Sequence, residues 1–280
     1  MKPALLVLIF FVTTLFVESQ NSNIILASYN LRYENNYDGN NSWQNRVDLV
    51  KELISYHEFE IMATQELYVN QINDLLNMEG WSYVGVGRDD GINAGEHSAI
   101  FYRNDLFKVV DSGNFWLSET PDKPSKGWDA TCCNRICTWA KFRQIKTDSV
   151  FYVFNVHFDH IGKTARIESG YLMSSKIKAI AGNSNVILCG DFNSTPDTRQ
   201  IKHISSVLSD AFLVSEQKPY GPVGTFNDFK FVGDFDERID YVFVSKGITI
   251  KKYAVLTDSK YNRYPSDHFP VVVKIEFKNR

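Results

Sequence analysis

Short apolar runs separated by polar turns are the feature that most constrains the fold of this chain, because such runs must be buried side by side in sheets. They are rich in Val, Ile, Phe and Tyr, and Gly, Asn or Asp bound them, which predicts β-strands. The runs cover residues 24–29, 60–64, 81–86, 98–102, 137–142, 150–156, 186–189, 241–244 and 269–275. Strands therefore dominate the predicted secondary structure.

Two amphipathic stretches lie between the strands and predict helices. The first covers residues 43–57 and has apolar residues at helical spacing: Trp43, Val47, Val50, Leu53 and Ile54. The second covers residues 163–181, and its predicted apolar side consists of Ile167, Tyr171, Ile177 and Ile180. Without a repeat or a Pro/Ser-rich linker, residues 20–280 are predicted to form a single α/β domain. An aromatic content of 14% favours two sheets packed face to face with helices outside, although periodicity alone leaves a Rossmann-like layering open.

The N-terminus has the pattern of a signal peptide. An early Lys precedes an apolar stretch over residues 4–16, and small or polar residues follow it. The stretch is short for a membrane span, so we predict a signal peptide over residues 1–19 and no stable membrane insertion. The alternative is an uncleaved anchor. The expected location is secreted or periplasmic.

Charge and cysteine content limit the class of protein. The formal net charge of −3 argues against a protein that coats nucleic acid through a basic surface, yet it allows a nuclease that contacts a few phosphates. Cys132, Cys133 and Cys137 are close enough in sequence to form a disulfide, with the pairing open, and Cys189 is predicted to be buried. No Cys or His motif completes a zinc site.

Acids, amides and histidines recur where the predicted strands end. They are Asn30, Glu66, Asn155, His157, Asp159, His160, Asp191, Asn193, Asp240, Asp267 and His268. Each one alone fits a turn, a helix cap or a buried polar contact. Together they predict one rim of a sheet sandwich lined with functional side chains. In an extended chain Asp191 and Asn193 would also lie side by side, because residues i and i+2 share a face.

This set of residue types fits metal-assisted hydrolysis of a phosphate ester. Carboxylate and amide oxygens suit Mg²⁺, which prefers few protein ligands and keeps several waters. A histidine beside an aspartate supplies an oriented imidazole, and a further aspartate can activate water. Asn and Arg can donate hydrogen bonds to the charge that develops on phosphate oxygens.

Six motifs identify a family resemblance. The stretches SYNLR, TQE, NVHFDH, GDFNSTP, RIDYVFVS and SDHFPVV follow one another across nearly the whole mature chain. In this combination the chain resembles the endonuclease/exonuclease/phosphatase superfamily. The resemblance implies a DNase I-like fold, which is a four-layer α/β sandwich. Two mainly antiparallel sheets pack face to face in it, with helices on both outer sides and the site at one rim.

The resemblance also implies a role for each matching acid and amide. Glu66 would be the principal Mg²⁺ ligand, with Asn30 supporting it and Asp267 binding the metal and its waters. Mn²⁺ is the alternative ion. Asp191 would position or deprotonate the attacking water, and Asn193 would hold that water and the phosphate.

The remaining matching residues would contact the phosphate. His268, oriented by Asp240, would contact a phosphate oxygen in the transition state. His157 would be a second phosphate-binding imidazole, and Arg135 a phosphate-contacting cation. The presence of His157 disfavours the abasic-site endonuclease branch, which has a Tyr there. Arg166 is expected near the site by the same resemblance.

The resulting prediction is a secreted Mg²⁺-dependent phosphoesterase that hydrolyses a phosphodiester or phosphomonoester through a water activated by Asp191. One alternative is a secreted nuclease acting on DNA or RNA, although the charge does not support a nucleic-acid partner. An alternative of another class is a non-catalytic secreted binding protein on the same fold. The chain is expected to be a monomer with a phosphate-ester substrate. The glycosylation sequon at Asn193 is predicted to be unmodified, because a glycan there would occupy the site.

Overall fold

Two six-stranded sheets form the centre of the structure, a computed structural model that describes residues 23–278. The predicted signal peptide lies outside the described residues. The strands are β1 (Ile24–Asn30), β2 (Ile61–Gln65), β3 (Trp81–Val84), β4 (Ile100–Arg103), β5 (Phe107–Trp116), β6 (Ile136–Gln144), β7 (Val150–His157), β8 (Asn185–Asp191), β9 (Ser209–Asp210), β10 (Asp240–Val244), β11 (Ile248–Val255) and β12 (Val271–Phe277). The helices are α1 (Trp43–Tyr56), α2 (Val69–Leu76), α3 (Lys163–Ala181), α4 (Arg199–Val207) and α5 (Ala211–Val214), with a 3₁₀ helix at Asn36–Asn41.

Both sheets are mainly antiparallel. The first has the strand order β11-β12-β1-β2-β4-β3, and the second has the order β5-β6-β7-β8-β10-β9. Each sheet contains one parallel pair, β1 with β2 and β7 with β8. The parallel register places His157 beside Asp191, and the antiparallel register of β8 with β10 places Asp240 on the other side of Asp191. Three predicted site residues therefore meet at one end of the second sheet.

The apolar residues divide into three buried layers, which give the fold its four-layer architecture. The central layer lies between the two sheets and includes Leu26, Phe142 and Val273. A second layer joins the second sheet to α3 and α4, and a third joins the first sheet to α1 and α2. The predicted sandwich with helices on both outer sides is confirmed, and a Rossmann-like layering is excluded.

Helix α3 has the predicted bounds, but its predicted apolar side is only partly correct, because Ile177 is buried and Tyr171 is not. Tyr171 is 39% exposed, and the buried side is formed largely by small residues such as Ala165 and Gly170, together with Met173. A Cβ atom at Gly170 would lie 2.9 Å from the Cβ of Gln200 at the start of α4. Close packing of the two helices therefore selects small residues.

Within residues 23–278 no helix is both long and apolar enough to cross a membrane.

Candidate active site

A pocket of about 1230 Å³ opens at the rim where β2, β7, β8 and β10 begin or end. We call it the active-site pocket. Most of the predicted site residues line it: Glu66, Arg135, His157, Asp191, Asn193, Asp267 and His268. Asn30 and Asp240 are fully buried directly behind them. The fold thus brings all nine predicted residues into one neighbourhood.

Gly190 allows β8 to deliver Asp191 to the pocket. Its φ is +143°, and a Cβ atom there would lie 2.0 Å from the carbonyl oxygen of Val156 on β7. Only glycine permits that approach. The strand then ends at Asp191, whose Oδ1 accepts a hydrogen bond from the backbone N–H of Asn193 at 2.8 Å.

The expectation that Asp191 and Asn193 share a strand face is wrong. Asn193 has φ +45°, so the chain has already turned out of the extended conformation. Its Nδ2 donates to the carbonyl oxygen of Phe158 at 3.0 Å. Both side chains still line the pocket, because the turn after Asp191 directs Asn193 into it.

Asn30 joins the two carboxylates nearest to it. Its Nδ2 donates to Glu66 Oε1 at 3.0 Å and to Asp191 Oδ2 at 3.1 Å, and its Oδ1 accepts from the backbone N–H of Arg32. Glu66 follows β2 directly and has φ +69°, a conformation that costs energy for a residue with a Cβ atom. In this arrangement Asn30 holds both carboxylates through its amide nitrogen, and its predicted metal-ligand role stays a prediction.

His268 and Asp240 form a buried pair. His268 Nδ1 donates to Asp240 Oδ2 at 2.9 Å, and Thr225 Oγ1 donates to the same oxygen at 2.6 Å. Burial opposes the charged imidazole, but the carboxylates of Asp240, Asp191 and Asp267 outweigh it and raise the pKa of His268 to about 10. His268 is therefore a cation at neutral pH, and its Nε2 lies 3.9 Å from Asp191 Oδ2.

His157 differs from His268 in its charge state. Its Nε2 lies 3.5 Å from Asp191 Oδ2, and its Nδ1 lies 3.8 Å from Glu96 Oε2. Burial, and then the nearby Arg135, hold the pKa of His157 well below its usual range. The two imidazoles therefore flank Asp191 in different charge states, with His157 neutral.

Glu96 is a site residue that sequence reasoning missed. It lines the pocket, pairs with Arg88 and lies beside His157. Its one sequence signal is its place just before a predicted strand, in a Gly-rich loop that also reads as ordinary surface. Burial raises the pKa of Glu96 to about 7, and the negative charge of Glu66 adds to that effect.

Arg135 is a buried cation with unused donors. Its Nη2 donates to His160 Nδ1 at 2.7 Å, and its Nε lies 3.5 Å from Asp159 Oδ2. Its Nη1 has no hydrogen-bond partner among the described residues, although the side chain is only 5% exposed. Such a donor lining a pocket suits an oxyanion. Arg166 also lines the pocket and donates to the backbone oxygen of Asp159 at 3.0 Å.

The acidic residues of the pocket fit a divalent cation. Ligand atoms of Glu66, His157 and Asp191 lie within 4.8 Å of one another, as do those of Asp191, Asp240 and His268. Burial, and in addition neighbouring negative charge, raises the pKa of Asp191 to about 7 and that of Asp267 to about 6. Several buried carboxylates this close favour a bound cation, and oxygen donors favour a hard one.

The cysteine pairing left open by the sequence is resolved. Cys132 and Cys133 form a disulfide, whereas Cys137 and Cys189 are free and buried. Cys189 belongs to the central apolar layer, as expected.

The chain resembles known proteins both in sequence and in structure. The sequence profile of the Endonuclease/Exonuclease/phosphatase family matches residues 27–268. A mannosyl-6-phosphatase from Bacteroides thetaiotaomicron is 44% identical and superposes with a TM-score of 0.87, covering 91% of this chain and 100% of that structure.

Two further relatives are more distant. An uncharacterized protein of Acanthamoeba polyphaga mimivirus is 29% identical over 255 residues, which are 84% of this chain and 92% of the relative. The CCR4-Not complex 3'-5'-exoribonuclease subunit Ccr4 of Debaryomyces hansenii is 23% identical over 300 residues. That match covers 84% of this chain but only 36% of the larger protein.

Proposed function

The chain belongs to the endonuclease/exonuclease/phosphatase family, and from that premise we propose that it is a Mg²⁺-dependent phosphoesterase acting on sugar phosphomonoesters. The observation that carries the proposal is the arrangement around Asp191. A buried carboxylate with a pKa near neutrality lies between a neutral and a cationic imidazole, at the bottom of an open pocket. That arrangement can deprotonate water beside an oxyanion.

Each side chain then has a defined task. Asp191 holds the attacking water and accepts its proton, and Asn193 orients that water. His268, kept cationic by Asp240, stabilises the charge that develops on a phosphate oxygen. Arg135 contributes its free Nη1 to another phosphate oxygen. The water attacks phosphorus directly while the bond from phosphorus to the sugar oxygen breaks, and the departing sugar oxygen takes up a proton from solvent. No covalent enzyme intermediate forms.

Glu66 and Asp267 would hold the metal, with the amide of Asn30 maintaining the position of Glu66. When bound, the ion supplies Lewis-acid stabilisation of charge on the phosphate and its leaving oxygen. Mg²⁺ is proposed over softer ions because the available ligand atoms are mainly carboxylate oxygens, with Mn²⁺ as the alternative.

The substrate class rests on similarity and on space. The 44% identical relative is a mannosyl-6-phosphatase, and the match covers the whole of that structure. A pocket of about 1230 Å³ also exceeds what a phosphate group alone requires. Mannose 6-phosphate is therefore the first substrate to test. The partner proposed here is the substrate alone, and the chain is proposed to act as a monomer.

A nuclease is the second candidate. Lys163, Arg166 and Arg199 line the pocket, and none of them pairs with a carboxylate within residues 23–278. These cations suit a second phosphate of a nucleic acid chain. If DNA or RNA is hydrolysed, the affinity should fall steeply with salt concentration, because phosphate contacts release counterions.

The location remains proposed as secreted or periplasmic, supported by the apolar stretch at residues 4–16. N-terminal sequencing of the mature protein tests it. A first residue near Gln20 is the expected result, and retention of Met1 would contradict it.

A substrate panel tests the proposed function. It contains mannose 6-phosphate, other sugar phosphates, inositol phosphates, sphingomyelin, DNA, RNA and a generic diester, each with Mg²⁺ and with chelator. We expect metal-dependent release of phosphate from a sugar phosphate, and none from the Asp191→Asn variant. Metal-dependent cleavage of nucleic acid alone would favour the second candidate. Absence of turnover together with absence of Mg²⁺ binding by calorimetry would favour a non-catalytic binding protein.

A further inference from the structure

A disulfide joins the adjacent residues Cys132 and Cys133 at the active-site pocket, and both residues line it. Cys132 is exposed and Cys133 is half-buried. Arg135, with its free Nη1, follows two residues later. The disulfide therefore lines the same pocket as the proposed phosphate-binding cation, yet the proposed hydrolysis uses neither sulfur.

The loop that carries the disulfide is fixed on several sides. The Asp129 carboxylate accepts hydrogen bonds from the backbone N–H groups of Thr164 at 2.9 Å and Ala165 at 2.7 Å, at the start of α3. Asn134 Nδ2 donates to the backbone oxygen of Arg88 at 3.2 Å. The covalent link between neighbouring residues restricts the loop further. The loop is thus attached both to the start of α3 and to the segment at Arg88.

The chemistry of this part of the lining contrasts with that of its surroundings. The first turns of α3, to which the loop is attached, contribute Lys163 and Arg166 to the pocket together with Ile167. A disulfide has no hydrogen to donate and is apolar and polarizable. Among these charged groups it is suited to contact the carbon surface of a ligand, because its sulfur atoms accept hydrogen bonds only weakly.

We propose that the Cys132–Cys133 disulfide is a specificity-determining contact that packs against the carbon face of the sugar esterified to the phosphate. This inference rests on the proposed function, because it concerns the leaving group of that reaction. It separates two parts of the site: Arg135 and His268 recognise the phosphate, and the disulfide recognises what the phosphate is attached to.

A double variant, Cys132→Ser with Cys133→Ser, tests the proposal with mannose 6-phosphate. Loss of the apolar contact should raise KM by about three- to tenfold. The value of kcat and the inhibition constant of inorganic phosphate should stay within about twofold, because neither depends on the sulfur atoms. Thr131→Ala is the matched control, since its exposed side chain lies in the same loop outside the pocket lining, and its KM should match wild type.

Reduction of the wild-type protein gives an independent arm if the double variant does not fold. A phosphine reductant should expose two reactive thiols and raise KM as the double variant does, while Cys137 and Cys189, both 0% exposed, stay unreactive. An unchanged KM in both arms would overturn the proposal, and so would a weaker inhibition by inorganic phosphate equal to the rise in KM.

The two proposals fail in distinguishable ways. If the wild-type protein hydrolyses no phosphoester, the proposed function fails, and calorimetric binding of mannose 6-phosphate against inorganic phosphate replaces KM as the readout. If turnover is normal and KM does not respond to loss of the disulfide, the disulfide proposal alone fails.

Discussion

Replacing Asp240 with Asn should remove the negative charge that keeps His268 cationic while retaining the shape of the site. The Nδ1 to Oδ2 distance is 2.9 Å, and the two residues are 5% and 1% exposed, so solvent screens the pair little. Breaking one partner of such a buried pair costs about 3 kcal/mol of the free energy of unfolding. Loss of an oriented cationic imidazole should lower kcat about 10²- to 10⁴-fold.

The pH dependence of stability gives a second readout of the same variant. Because the pKa of His268 in the folded protein is raised to about 10, the pair stabilises the fold fully below the unfolded value of about 6.5. That contribution is lost as pH rises through about 10. Urea denaturation at pH 6, 8 and 10 should show this decline in wild type and a flatter profile in Asp240→Asn. Equal slopes, or a kcat at pH 7 within tenfold of wild type, would refute the reasoning.

Asp210→Asn is the matched control for Asp240→Asn. Asp210 is equally buried and pairs with Arg238 at 3.0 and 2.7 Å, but neither residue lines the pocket. We expect a comparable loss of stability and an unchanged kcat well below the melting temperature. A loss of kcat equal to that of Asp240→Asn would show that stability, and not the charge of His268, controls turnover.

Three further predictions concern the same pocket. Asp191→Asn should lower kcat at least about 10³-fold. The melting temperature of this variant at pH 8 should not fall. Burial raises the pKa of the Asp191 carboxyl to about 7, so its charged form destabilises the fold at pH 8. Lower stability with retained turnover would contradict this. Mg²⁺ should raise the melting temperature more at pH 8 than at pH 5. The pKa values of Asp191 and Asp267 are raised to about 7 and 6, so both carboxyls ionise between these pH values. An equal rise in melting temperature at both pH values would contradict this prediction. Arg135→Met should weaken inhibition by inorganic phosphate about tenfold or more, because a charged hydrogen-bond donor is lost, and an unchanged inhibition constant would remove Arg135 from the phosphate site.

Much of the fold could be predicted because burial leaves a local pattern. Apolar runs that pair inside a sheet are short and end at polar residues, so the strand ends carrying Asn30, His157 and Asp191 could be recognised. The predicted site residues gather at those ends, and their joint occurrence indicates a site that no single residue could indicate. The bounds of α3 also followed from local sequence.

The remaining features depend on contacts between distant parts of the chain. Glu96 reaches the pocket because its neighbour His97 bridges to Leu67 and Gly87, a pairing with no local signal. Much of the buried face of α3 could not be predicted, because close packing on α4 favours Gly170 over larger apolar residues. Strand alternation also misplaced Asn193, since the strand ends two residues earlier.

The most direct test of the account follows oxygen during hydrolysis. The best substrate from the panel is hydrolysed in H₂¹⁸O with Mg²⁺, and both products are examined by mass spectrometry. Attack of the water held by Asp191 on phosphorus predicts one ¹⁸O atom in the released phosphate, none in the sugar, and no release by Asp191→Asn or with chelator. Label in the sugar, or release that persists in Asp191→Asn, would contradict the proposed active site.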